Sequence, residues 1–130
     1  MISLTNQQLI NKAYEAMNNS YSPYSKFKVG AAVLTSDGQV YTGCNIENVS
    51  YGATICAERT AIFKAVSEGH TKIQKLAIVS MTRKYTYPCG MCRQVMSEFM
   101  DEEGIIILSD DEYGLKEYRF NEILPYCFSL

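Results

Sequence analysis

Cys56-Ala57-Glu58 and Pro88-Cys89-Gly90-Met91-Cys92 decide the reading of this chain. Together they place three thiols at metal-ligand spacing, with a carboxylate two residues past the first. A structural zinc takes four protein ligands, whereas a catalytic zinc takes three and keeps a position for water. Cys56, Cys89 and Cys92 are therefore the expected ligands of an open zinc site, and Glu58 the expected proton carrier. Alone, Glu58 would read as an acidic residue that complements a helix N-terminus. Beside the two thiol motifs it becomes a candidate base.

Outward from these motifs the chain alternates between short elements. Thr5-x-x-Gln8 is a capping box, with Leu4 and Leu9 placed to staple it. Leu9, Ile10, Ala13, Ala16 and Met17 follow at helical spacing. Lys28 to Leu34 reads as a strand, Asp37-Gly38 as a hairpin turn and Gln39 to Cys44 as the returning strand. Ala57, Ala61, Ile62, Ala65 and Val66 predict a second helix, closed by Gly69. Leu76 to Met81 is a buried strand, and Pro88 is placed to open a third helix with core residues Val95, Met96, Phe99 and Met100. Ile105 to Leu108 and Leu115 to Phe120 complete the strands, and Asn121 is the expected cap of a last helix or turn. A helix, a hairpin, then alternating helices and strands imply a mixed sheet covered on both faces.

Cysteines at the starts of two helices sit where the partial positive charge of the helix N-terminus favours the thiolate. Three thiolates on a divalent zinc leave the site net negative, and the Arg59 guanidinium is the candidate to offset the excess. Gly90 offers either close backbone approach between the ligands or a plain turn preference.

The order Cys-x-Glu, then Pro-Cys-x-x-Cys, resembles the cytidine deaminase family, in the form with Cys rather than His as first ligand. Phe27-Lys28-Val29-Gly30-Ala31-Ala32, Asn45-Ile46-Glu47-Asn48 and the ending Leu124-Pro125-Tyr126-Cys127-Phe128 extend the likeness. The resemblance implies a three-layer α/β/α fold around a mixed, roughly five-stranded sheet, with residues 1–130 as one domain. It implies one zinc per subunit and hydrolytic deamination of cytidine and deoxycytidine to uridine and deoxyuridine, with ammonia released, in pyrimidine salvage. Glu58 would carry a proton from the attacking water to N3 and deliver another to the departing ammonia. Phe27 would pack against the nucleoside, and Asn45 and Glu47 would hydrogen-bond the ribose 3′-hydroxyl. The Ala57 N–H would bind the pyrimidine O2, with Tyr51 lining the same pocket. Phe128 would reach a neighbouring subunit's site and stack on the base, which makes the active species a homotetramer with composite sites.

Composition narrows the field. The chain has 130 residues, and its formal charge of −2 gives no electrostatic footprint for nucleic acid. No basic cluster surrounds the motifs, as a 5′-phosphate would require, so a nucleoside is expected rather than a nucleotide. Five cysteines, two of them at Cys-x-x-Cys spacing, suit metal in a reducing compartment, and the cytoplasm is the expected location. No apolar run is long enough to span a bilayer, and no secretory signal opens the chain. Two alternatives stand beside the leading reading. One is deamination of a cytosine-nucleoside antibiotic such as blasticidin S. The other is a non-catalytic zinc-binding interaction domain with Cys44 as fourth ligand. His70 and Cys127 read as ordinary surface and core residues.

Overall fold

Thr5 starts the first helix as its sequence requires. The Thr5 hydroxyl accepts from the Gln8 N–H at 3.1 Å, and Gln8 Oε1 accepts from the Thr5 N–H at 2.8 Å. The computed structural model describes residues 4–130. In it α1 (Asn6–Met17) buries Leu9, Ile10 and Ala13, while Leu4 packs against the same cluster and completes the staple. Ala16 and Met17 are half-buried.

The hairpin follows: β1 (Val29–Thr35) pairs antiparallel with β2 (Val40–Cys44) around Asp37-Gly38. α2 (Ala57–Ser67) ends where Gly69 takes a φ of 94°, a conformation that glycine adopts without a Cβ clash. β3 (Ile73–Ser80) begins earlier than its apolar run suggests. Lys75 pairs with Leu34 of β1 and Ile105 of β4, and Ile73 with Thr35 across a register shift, which extends the strand past the apolar run. α3 (Gly90–Phe99), β4 (Ile105–Asp110), β5 (Gly114–Arg119) and α4 (Phe120–Ile123) complete the chain.

Two helix starts differ from expectation. Pro88 lies outside α3, because Cys89 is extended and takes the cap position. α4 is preceded by Arg119, whose N–H donates to Glu122 Oε1 at 2.8 Å, so Asn121 lies inside the helix and does not cap it.

The sheet order is β2-β1-β3-β4-β5, with β3 and β4 parallel and every other pair antiparallel. One face carries Ala32, Ala77, Val79 and Ile107 against α1. The opposite face carries Ala31, Val33, Leu76, Ile78, Ile106 and Leu108 against α2, α3 and Phe120. Alternate residues of each strand thus serve opposite cores, which is the period-2 geometry of a sheet covered on both sides. The three-layer α/β/α expectation holds.

Among the glycines, Gly43 most directly positions the site. A Cβ there would lie 2.6 Å from Ala61 N and 2.8 Å from Ala57 O, so only glycine lets β2 touch the start of α2. Ala57 and Glu58 stand in that same turn. No helix among the described residues is long and apolar enough to cross a membrane.

Candidate active site

Three segments distant in sequence are laced together beside the sheet. Ile46 exchanges backbone hydrogen bonds with Ile55 at 2.9 Å in both directions, which brings Asn45 to Glu47 alongside the entry to α2. Tyr21 N–H donates to Asn45 O, and Glu47 N–H donates to Tyr21 O, which adds the Tyr-rich loop. Asn45 pins the assembly: its Oδ1 accepts from Val29 N–H at 3.0 Å and from the Ser20 hydroxyl, and its Nδ2 donates to Phe27 O at 2.7 Å.

Cys56 caps α2, Cys89 caps α3, and Cys92 lies in the first turn of α3. Their three sulfurs lie within 4.8 Å of one another, the only such convergence of His, Cys, Asp or Glu among the described residues. Cys56 Sγ and Cys89 Sγ are 3.8 Å apart. Two sulfurs each about 2.3 Å from a tetrahedral zinc stand about 3.8 Å from each other. The donor set and spacing therefore fit one zinc per subunit, and Cys44 does not join the cluster. With three protein ligands a tetrahedral zinc retains an open position.

The charges around the thiols are arranged to hold that metal. A hydrogen bond from the Cys92 thiol, aided by Arg59, lowers the pKa of Cys56 to about 5. Cys92, as donor to Cys56, is correspondingly raised. Arg59 Nη2 donates to Cys56 Sγ at 3.4 Å. Its buried Nε has no hydrogen-bond partner among the described residues. Glu58 is only 4% exposed, and burial above all pushes its carboxyl up to about 7. A carboxyl poised there can both accept and donate a proton near neutral pH.

A cleft of about 300 Å³ opens onto this corner, lined by Phe27, Asn45, Glu47, Cys56, Ala57, Glu58 and Cys89 among others. No Lys or Arg lines it. Glu47 Oε1 accepts from the Tyr24 and Ser25 N–H groups at 3.0 and 3.1 Å, and the Ser25 hydroxyl donates to Oε2. The Ser25 hydroxyl foremost holds Glu47 below the usual carboxylate range. Tyr51 is 75% exposed and lies in an adjoining depression with Tyr24, Ser25, Glu47 and Thr54, one step out from the thiols. Phe128 is 71% exposed and is not among the residues lining its own chain's cleft. At Gly90 an added Cβ would meet nothing within 4 Å, so close approach between the ligands is not its role.

Several cleft residues escape a reading of motifs. Thr86 and Tyr87 line it directly before Pro88, and adjacency to the thiol motif was their available signal. Ser25 has no such signal, because only the fold brings it to Glu47. A separate groove of about 830 Å³ between Ser36, Lys72, Met100 and Glu103 lies apart from these groups and has no thiol in its lining.

A family model described as the cytidine and deoxycytidylate deaminase zinc-binding region matches residues 3–108. The chain belongs to that deaminase family. A cytidine deaminase of Halalkalibacterium halodurans is 46% identical over 95% of this chain and 93% of its own length. The crystal structure of cytidine deaminase from Burkholderia pseudomallei superposes with a TM-score of 0.89, at 41% identity over 95% of this chain and 99% of that one. The Mycobacterium tuberculosis cytidine deaminase structure gives a TM-score of 0.86 at 38% identity, covering 98% of this chain and all of that one (100%). Family and fold thus agree with the site that the thiols and Glu58 build.

Proposed function

We propose that the chain hydrolyses the exocyclic amine of cytidine and deoxycytidine, giving uridine or deoxyuridine and ammonia. The observation that carries this reading is a buried Glu58 beside three converging thiols, lining a cleft that includes no Lys or Arg. When bound, zinc keeps one position for water and lowers that water's pKa. Glu58 accepts the attacking water's proton and passes it to N3 as the new C–O bond forms at C4. It then takes the second proton to the amine; the C4–N bond breaks, and ammonia leaves as the carbonyl forms. Its pKa of about 7 suits both directions of transfer.

The remaining residues position the nucleoside. The first N–H of α2, on Ala57, has no partner within its helix and is free to bind the pyrimidine O2. Phe27 supplies an apolar wall. Glu47 retains acceptor capacity for a ribose hydroxyl, and Asn45 keeps one amide N–H to donate to it. A cleft without Lys or Arg favours a nucleoside over a nucleotide. The same cleft has no basic track for a polynucleotide.

We assign Tyr51 to the rim of the site and Phe128 to the site of a neighbouring subunit, in a homotetramer acting through residues 1–130 as one domain. The exposure of Phe128 and Tyr126 supports that assembly. The free cysteines suit a reducing compartment, so the cytoplasm and pyrimidine salvage are the assigned setting. Turnover of cytidine, deoxycytidine and cytidine 5′-monophosphate measured side by side tests the substrate class. Both nucleosides are expected to be turned over, and the nucleotide to be the poor substrate. Preference for the nucleotide would contradict the assignment.

A further inference from the structure

Arg93 follows the ligand Cys92 directly, and its side chain ties two other segments to α3. Its Nε donates to the Pro88 carbonyl at 2.8 Å, and its Nη1 donates to the Ile123 carbonyl at 2.7 Å. The first carbonyl belongs to the peptide that leads into Cys89. The second belongs to the last residue of α4, whose carbonyl has no partner within that helix. Next along the chain, Gln94 Nε2 donates to the Phe128 carbonyl at 3.3 Å. One turn of α3 thus bears a zinc ligand, a clamp on the loop carrying a second ligand, a tie to the end of α4 from which the C-terminal tail leaves, and a tie to that tail at Phe128.

The guanidinium is suited to this task. Its planar fork presents donors in fixed directions, and rotation of the Pro88–Cys89 peptide would break the short Nε bond. Arg93 is half-buried and forms no ion pair among the described residues, so carbonyls rather than a carboxylate set its orientation.

We propose that Arg93 is a positioning residue that locks the Cys89 loop and the C-terminal tail to the first turn of α3. Zinc affinity and tail placement are then coupled, and weakening the clamp weakens both. This rests on the zinc reading of the thiol triad, which the metal content of the wild-type protein tests separately.

The experiment compares purified wild-type, Arg93→Lys and Arg93→Gln proteins. Zinc affinity is measured by chelator competition, and the tail by the rate at which carboxypeptidase releases the last residues. Loss of a group that orients a ligand typically costs about 10–100-fold in metal affinity, and Arg93→Gln should fall in that range while releasing its tail faster. Arg93→Lys should lie between, since an ammonium can hold one carbonyl but cannot reproduce the fork. Thermal midpoints separate positioning from bulk stability. A merely structural Arg93 would lower the zinc-free and zinc-loaded midpoints alike, whereas a positioning Arg93 shrinks the increment that zinc adds. Wild-type zinc affinity in Arg93→Gln, or weakened zinc with unaltered tail release, would overturn the proposal. Should Arg93→Gln not fold, Arg93→Lys decides by the same readings.

Discussion

Glu58 is a carboxyl that the fold keeps from water, and its energetics show the cost of that placement. Unfolded it titrates near 4.5, and burial raises it to about 7 in the folded chain. A raised folded pKa contributes stability that is fully present below the unfolded value and is lost as pH rises through the folded one. Glu58→Gln stays neutral throughout. The zinc-free Glu58→Gln protein should therefore match wild type near pH 4 and exceed it above pH 7, by up to about 3 kcal/mol. Denaturant unfolding across that pH range checks this, and parallel curves would mean that Glu58 is solvated. Arg59 is placed to act in the opposite electrostatic sense, with its guanidinium donating to Cys56 Sγ. Arg59→Gln leaves more negative charge beside the attacking water and makes that water less acidic. The acid limb of the pH–rate profile should move to higher pH, and an unmoved limb would make Arg59 a bystander.

At the scale of elements, the contact between β2 and the start of α2 determines where Ala57 and Glu58 stand. Gly43→Ala would drive a Cβ against backbone atoms of Ala57 and Ala61, neither of which can rotate away. Overpacking of this kind costs about 1–3 kcal/mol, and activity should fall with stability because the displaced turn carries the site. Wild-type thermal stability in Gly43→Ala would show that the two elements have slack. The elements themselves were largely legible. Thr5-x-x-Gln8, Asp37-Gly38 and Gly69 are local signals whose chemistry is complete within a few residues, and each stands where its chemistry puts it. Pro88 shows the limit, because a proline suits the first helical position and the residues before it alike. Cys89 took the cap instead. The cleft divides in the same way. The thiols and Glu58 announce themselves by spacing, while Ser25 and Thr54 reach it through backbone pairings of Tyr21 with Asn45 and of Ile46 with Ile55 that no periodicity encodes.

For the whole molecule, the exposed tail bears on the proposed assembly. Phe128 is exposed on its own chain, and its carbonyl is tied to Gln94. Base stacking is worth about 1–3 kcal/mol where it has been measured in single-strand binders. If Phe128 closes a neighbour's site, Phe128→Ala should raise KM by roughly tenfold or more with zinc content unchanged. Sedimentation of the active species should give a tetramer, and an active monomer would contradict the composite site. The central claim is that Glu58 moves the protons of a zinc-dependent hydrolysis within this fold. Its most direct test is ammonia release from cytidine by zinc-loaded wild-type protein beside zinc-loaded Glu58→Gln. The wild type should release ammonia, and the variant should retain its metal while losing at least about 10²–10⁴-fold in rate, the typical loss on removing a general acid–base group. Equal rates in two folded, zinc-loaded proteins would contradict the assignment.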